Sequence, residues 1–205
     1  MKKFLAIMLS LVLLSGCSLF SDSVNVNEIG KEMNKTISKF NENEQKFVKL
    51  NSLSTEIGSV MLSLQKTGLN QDSIKQMNDK HTEMMKLLAE YKTGVQQLSE
   101  ELPANQKKVD KIKKEQLKKL GDTLLANLKS LLDSKLKMIE ITEKSLANQE
   151  EVLKSVASKK ELSSKIEEEM TKLEGEYLSV TNETLQKTNA YNKSLQEFIG
   201  AVDKK

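Results

Sequence analysis

Ile74, Met77, His81, Met84, Leu88, Tyr91, Val95, Leu98 and Leu102 follow one another in alternating steps of three and four. On an α-helix that spacing puts all of them on one stripe, whereas a strand needs apolar residues at every second position. Eight of the nine are apolar and the other is a histidine, so the stripe is a packing seam. A chain with a seam this long has to supply other helices to cover it.

The flanking segments have the right pattern. Val26, Met33, Phe40, Phe47 and Met61 share one seven-residue register, interrupted at Ser54, and Ile29, Leu50, Ile57 and Leu64 share its partner. Asn25 and Glu28 have capping-box spacing for the start of this first helix, and Gly68 suits its end. Ser73 with Gln76 predicts the start of the second helix. Leu102-Pro103 predicts its close, because proline disfavours helical geometry in the residue before it.

Asn105 then caps a third helix. Its Val109, Leu120, Leu131 and Leu153 are spaced by multiples of eleven, as are Leu117, Leu128 and Ile139, which implies a nearly straight or slightly right-handed course. Ser158 with Glu161 predicts a turn near Val156 to Lys159 and a fourth helix after it; one continuous bent helix is the alternative. In that last segment Met170, Tyr177, Thr184, Tyr191 and Phe198 lie seven apart. With 8 Gly and 1 Pro in the whole chain, little interrupts these helices. The expected fold is all-α, an elongated antiparallel bundle of about four long, coiled-coil-like helices over residues 26–205.

The first residues follow another logic. Met1-Lys2-Lys3 is basic, and Phe4 to Leu14 is apolar except for Ser10. Eleven helical residues reach only about 16 Å, too short for a hydrocarbon core of about 30 Å, so the segment reads as a secretory signal. Leu14-Ser15-Gly16-Cys17 resembles the lipobox of bacterial lipoproteins. That resemblance implies a signal peptide over 1–16, diacylglycerol on the Cys17 thiol and cleavage before it. Cys17 is the only cysteine, so an intramolecular disulfide is excluded. Lipid chains on Cys17 would anchor the protein with no segment in the bilayer. Ser18 to Asn25 would then tether the bundle to the outer face of the cytoplasmic membrane over roughly 28 Å at most.

Beyond Lys2 and Lys3 the chain carries 30 lysines against 29 acidic residues, and it contains no arginine and no tryptophan. Arginine is the favoured fork for phosphates and base edges, so nucleic-acid recognition is not expected. His81 lies on an apolar stripe and reads as a packed structural histidine. A zinc site needs three or four ligands, and no metal or cofactor is expected. The same shortage removes Ser-His-Asp and Cys-His catalysis. Glu150-Glu151 and Glu167-Glu168-Glu169 read as solvated partners of nearby lysines such as Lys165 and Lys172, and no phosphate-binding glycine loop is present. The sequence therefore reads as a non-enzyme.

Its densest charge feature is Lys107, Lys108, Lys111, Lys113, Lys114, Lys118 and Lys119, offset by Asp110 and Glu115. Such a cluster can contact a polyanion, whether wall or lipid-linked teichoic acid or anionic lipid headgroups. The alternative is a solvated helix face that keeps the protein soluble.

Gln116-Leu117-Lys118-Lys119, Glu176-Tyr177 and Thr188-Asn189-Ala190-Tyr191-Asn192, together with the lipobox and chain length, resemble the YkyA-type family of cell-wall-binding lipoproteins of Gram-positive bacteria. The resemblance implies a lipid anchor at Cys17, a place beneath or within the wall, and binding to teichoic acid or peptidoglycan without catalysis. A second expectation is a helical interaction module that docks a membrane complex or self-associates through its heptad stripes.

Overall fold

The computed structural model describes residues 28–67, 70–158 and 163–202, and its regular structure there is entirely helical. Four helices follow in order: α1 (Glu28–Thr67), α2 (Gln71–Val109), α3 (Glu115–Ala157) and α4 (Ser164–Val202). At 39 to 43 residues each they are about 60 Å long. The expected all-α antiparallel bundle of four long helices is the fold found. Cys17, the leader, the tether and Asn25 lie outside the described residues.

Side-chain pairs give the direction of each helix. Lys39 of α1 meets Glu101 of α2, while Glu56 further along α1 meets Lys80, so α1 and α2 run antiparallel. Gln106 bonds to Asp122 and His81 to the Leu146 carbonyl, giving the same relation between α2 and α3. Asn127 with Ala190, and Lys137 with Glu183, repeat it for α3 and α4. The start of α1, the α2–α3 connection and the end of α4 therefore share one end of the bundle.

The stripe of α2 is buried as predicted, from Met77 to Leu102, with Ile74 half-buried at its start. Its boundaries differ from expectation. Asn70, not Ser73, is the N-cap: its backbone is extended and its side chain accepts from the Ser73 N–H at 2.8 Å. At the other end Pro103 lies inside the helix. It sits on the exposed face, where the carbonyl of Ser99, four residues back, can bond to water instead. Asn105 does not cap a third helix; it is buried within α2 and donates from Nδ2 to Thr36 Oγ1 at 3.0 Å. The steps of three and four thus run on through Asn105 to Val109.

Val109 consequently belongs to α2, and the eleven-residue series through it does not describe one helix. The other eleven-residue series, Leu117, Leu128 and Ile139, is buried throughout in α3, and the helix also buries seven-residue series, Leu117, Leu124, Leu131 and Met138 beside Leu125, Leu132, Ile139 and Leu146. Leu120 and Leu153, members of the series through Val109, are only half-buried. Two adjacent series are needed because α3 packs against both α2 and α4. α3 ends at Ala157, within the break predicted near Val156 to Lys159, and α4 starts at Ser164, so the two are separate helices. Ser158 closes α3 and does not start α4: its hydroxyl donates back to the Lys154 carbonyl at 2.8 Å. The α4 start is instead at Ser163, whose carbonyl accepts from the Ile166 N–H at 2.9 Å.

Mid-bundle, the core closes around a buried cation. The Lys135 ammonium meets Glu44 Oε2 at 2.7 Å and lies within 5.6 to 5.9 Å of the ring centres of Phe40, Phe47 and Tyr91. The Tyr91 hydroxyl donates to the other oxygen of Glu44 at 2.9 Å. Phe40 also packs on Tyr191 with ring centres 5.5 Å apart, an aromatic contact between α1 and α4, whose backbones lie further apart than those of helices consecutive in sequence.

Candidate polyanion interface

The lysine cluster forms the corner between α2 and α3. Lys107 and Lys108 end α2, Lys111, Lys113 and Lys114 lie in the connection, and Lys118 and Lys119 sit in the first turns of α3. Apolar contacts fix its backbone. Val109 is fully buried, Ile112 packs against the core, and Gly121 of α3 has Val109 and Phe198 pressed against it, leaving little room for a side chain there. Turn bonds hold the chain between the helices: Asp110 N–H to the Gln106 carbonyl at 2.9 Å, Lys111 to Lys108 at 3.1 Å and Ile112 to Val109 at 3.0 Å.

Two of the nearby carboxylates are already engaged. Gln106 Nε2 donates to Asp122 at 2.6 Å and to Asp110 at 3.2 Å, and Lys118 lies 3.7 Å from Asp110. Lys108 and Lys118 are half-buried, while Lys107, Lys111, Lys113, Lys114 and Lys119 are exposed. Among the described residues, no carboxylate lies within ion-pair distance of these five. The corner is thus a firm scaffold with flexible, solvated cations on it, and residues 107–122 carry seven lysines against three acids. Sequence reading missed Lys35, which joins this end because its neighbour Thr36 bonds to Asn105. That contact spans 69 residues, and no local signal announces it.

At the opposite end, the start of α4 has the other sign. Residues 164–176 carry five glutamates against two lysines. Glu167, Glu168 and Glu169 are exposed, and Lys172 reaches Glu176 at 3.6 Å rather than the triplet. Lys154 binds both Glu150 and Glu151, at 3.0 and 2.9 Å, and holds the Glu150 carboxyl below its usual range.

His81 is buried and donates from Nε2 to the Leu146 carbonyl at 2.8 Å, tying α2 to α3. The described residues hold no group of three or more His, Cys, Asp or Glu placed to bind a metal. None of their helices is long and apolar enough to cross a membrane. Gln116-Leu117-Lys118-Lys119 falls at the start of α3, and Glu176-Tyr177 and Thr188-Asn189-Ala190-Tyr191-Asn192 along α4, with Tyr177 and Tyr191 buried on one face. No protein-family model, curated protein or solved structure matches the chain.

Proposed function

We propose that this chain is a non-enzymatic surface lipoprotein of the YkyA type. Lipid on Cys17 holds it at the outer face of the cytoplasmic membrane, and its helical bundle binds a phosphate-bearing polyanion of the cell envelope through the α2–α3 corner. The observation that carries this reading is the set of five exposed lysines without a carboxylate partner, on a corner fixed by buried contacts. Flexible ammonium groups suit a polymer of repeated phosphates, which offers charge density without a single defined shape. Changing Lys113, Lys114, Lys118 and Lys119 to glutamate lowers retention on isolated envelope fragments, wall and membrane together; unchanged retention removes the corner from the account. For the anchor, Cys17→Ser abolishes incorporation of labelled fatty acid and releases the chain from the cell.

A second reading, a helical interaction module, has one observation in its favour. Leu178 and Leu185 lie one heptad apart on α4 and are 39 % and 42 % exposed. Sedimentation of the unlipidated chain at rising concentration tests its self-associating form, which a monomer throughout would remove.

A further inference from the structure

We infer that the polyanion met by the lysine corner is the anionic headgroup layer of the membrane that holds Cys17, so that the bundle stands on its basic end with its acidic end outward. The inference rests on the anchoring at Cys17 proposed above and adds an orientation and a ligand class to it.

Topology supplies the first argument. Asn105 bonds to Thr36, which fixes α1 and α2 at the same height. From there α1 runs back eight residues to Glu28, about 12 Å, and α2 runs on four residues to Val109, about 6 Å. The start of α1 and the corner are therefore nearly level. Eleven residue-to-residue steps lead from Cys17 to Glu28 and span at most about 38 Å, less than the roughly 60 Å length of the bundle. An anchored bundle cannot invert; it either stands on the corner or lies along the surface.

Charge decides between these two. An anionic surface attracts juxtamembrane lysines by about five-fold in partition for each, within a Debye length of about 8 to 10 Å. The corner carries seven lysines against three acids, while the start of α4 at the far end carries five glutamates against two lysines. Lying flat brings both ends to the surface, and its acidic end is repelled; standing brings only the basic end. The apolar residue of the connection, Ile112, is packed against the core, so the contact is electrostatic and not insertion of a wedge. Lysines without arginine suit a fluid layer of phosphates that a rigid fork would not match.

The test uses the full lipidated chain in vesicles of phosphatidylcholine, alone or mixed with phosphatidylglycerol. With Cys17 acylated, a single new thiol can carry a donor dye, placed by Glu115→Cys at the corner or by Gln71→Cys at the opposite end. Energy transfer to a headgroup acceptor should be high from position 115 and near background from position 71 on the mixed vesicles. That contrast should shrink in neutral vesicles, in high salt, and when Lys111, Lys113 and Lys114 are changed to glutamate, with helical content unchanged. Equal transfer from both positions means that the bundle lies flat and overturns the inference. A contrast that survives unchanged in neutral vesicles overturns headgroup recognition. Its abolition by soluble polyglycerol phosphate at equal phosphate concentration assigns the corner to wall polymer and overturns it too. If the wild-type chain fails to float with any vesicle, the anchor reading itself fails, an outcome separate from the other three.

Discussion

Gly94 and Gly175 both sit within helices, yet their surroundings give opposite expectations for alanine. A Cβ on Gly94 would overlap the carboxamide of Asn43, which is buried and donates to the Tyr91 carbonyl at 3.1 Å. Nothing lies within 4 Å of a Cβ on Gly175 or Gly200. Alanine stabilises an open helical position by about 0.5 to 1 kcal/mol. Gly175→Ala and Gly200→Ala should each raise the unfolding free energy measured in urea by that amount, while Gly94→Ala should lower it despite the same helical gain. A rise at Gly94 would mean that α1 and α2 are not pressed together there. The buried cation allows a second test. Lys135 has a side chain only 6 % exposed, and Glu44 is its sole carboxylate partner among the ion pairs described. Glu44→Ala strands that charge and the Tyr91 hydroxyl, so a loss of about 3 kcal/mol in urea unfolding is expected, with an unchanged slope.

At the scale of elements, the existence and type of all four helices were legible, and their ends were not. Pro103 reads as a stop because proline disfavours helical geometry in the residue before it, but the helix runs on through it, and on the exposed face the hydrogen bond that proline removes is replaceable by water. Asn105 then reads as a cap because asparagine caps helices, although it is the polar member of a stripe that continues to Val109. The same disguise operates in α1, where Thr36 and Asn43 are buried in the register of Leu50 and Ile57 and leave a gap in any purely apolar pattern. In α3, Ser134 and Thr142 are buried at little cost because their hydroxyls donate to the Leu131 and Met138 carbonyls of their own helix, each at 2.8 Å. The lysine cluster was visible as a run of residues. Its place was not, since a helix ending at Leu102 would spread these lysines along a helix face instead of folding them into a corner. Pro103→Ala should stabilise the bundle by about 1 to 3 kcal/mol in chemical denaturation, restoring the missing bond. A loss would show that the proline helps to shape α2.

For the whole molecule, burial of all three tyrosines sets the alkaline limit of stability. Burial pushes Tyr177 from 10.0 up to about 12, and it raises Tyr91 and Tyr191 as well. The unfolded chain therefore gives up tyrosine protons at lower pH than the folded one. Their contribution is fully retained below about pH 10 and is lost as pH rises toward about 12, at about 1.4 kcal/mol per pH unit for each tyrosine. Tyrosinate absorbance should appear together with loss of helical circular dichroism, and ionisation ahead of unfolding would contradict the burial. Charge is the other molecular property, balanced in sum and separated between two ends. That separation underlies the envelope-binding role proposed for the corner. The most direct measurement is co-sedimentation of the unlipidated Cys17→Ser chain with isolated envelope fragments across a salt series. Binding that falls steeply with salt, and nearly vanishes when Lys113, Lys114, Lys118 and Lys119 are glutamate, is the predicted result. Binding indifferent to both salt and those four changes would contradict it.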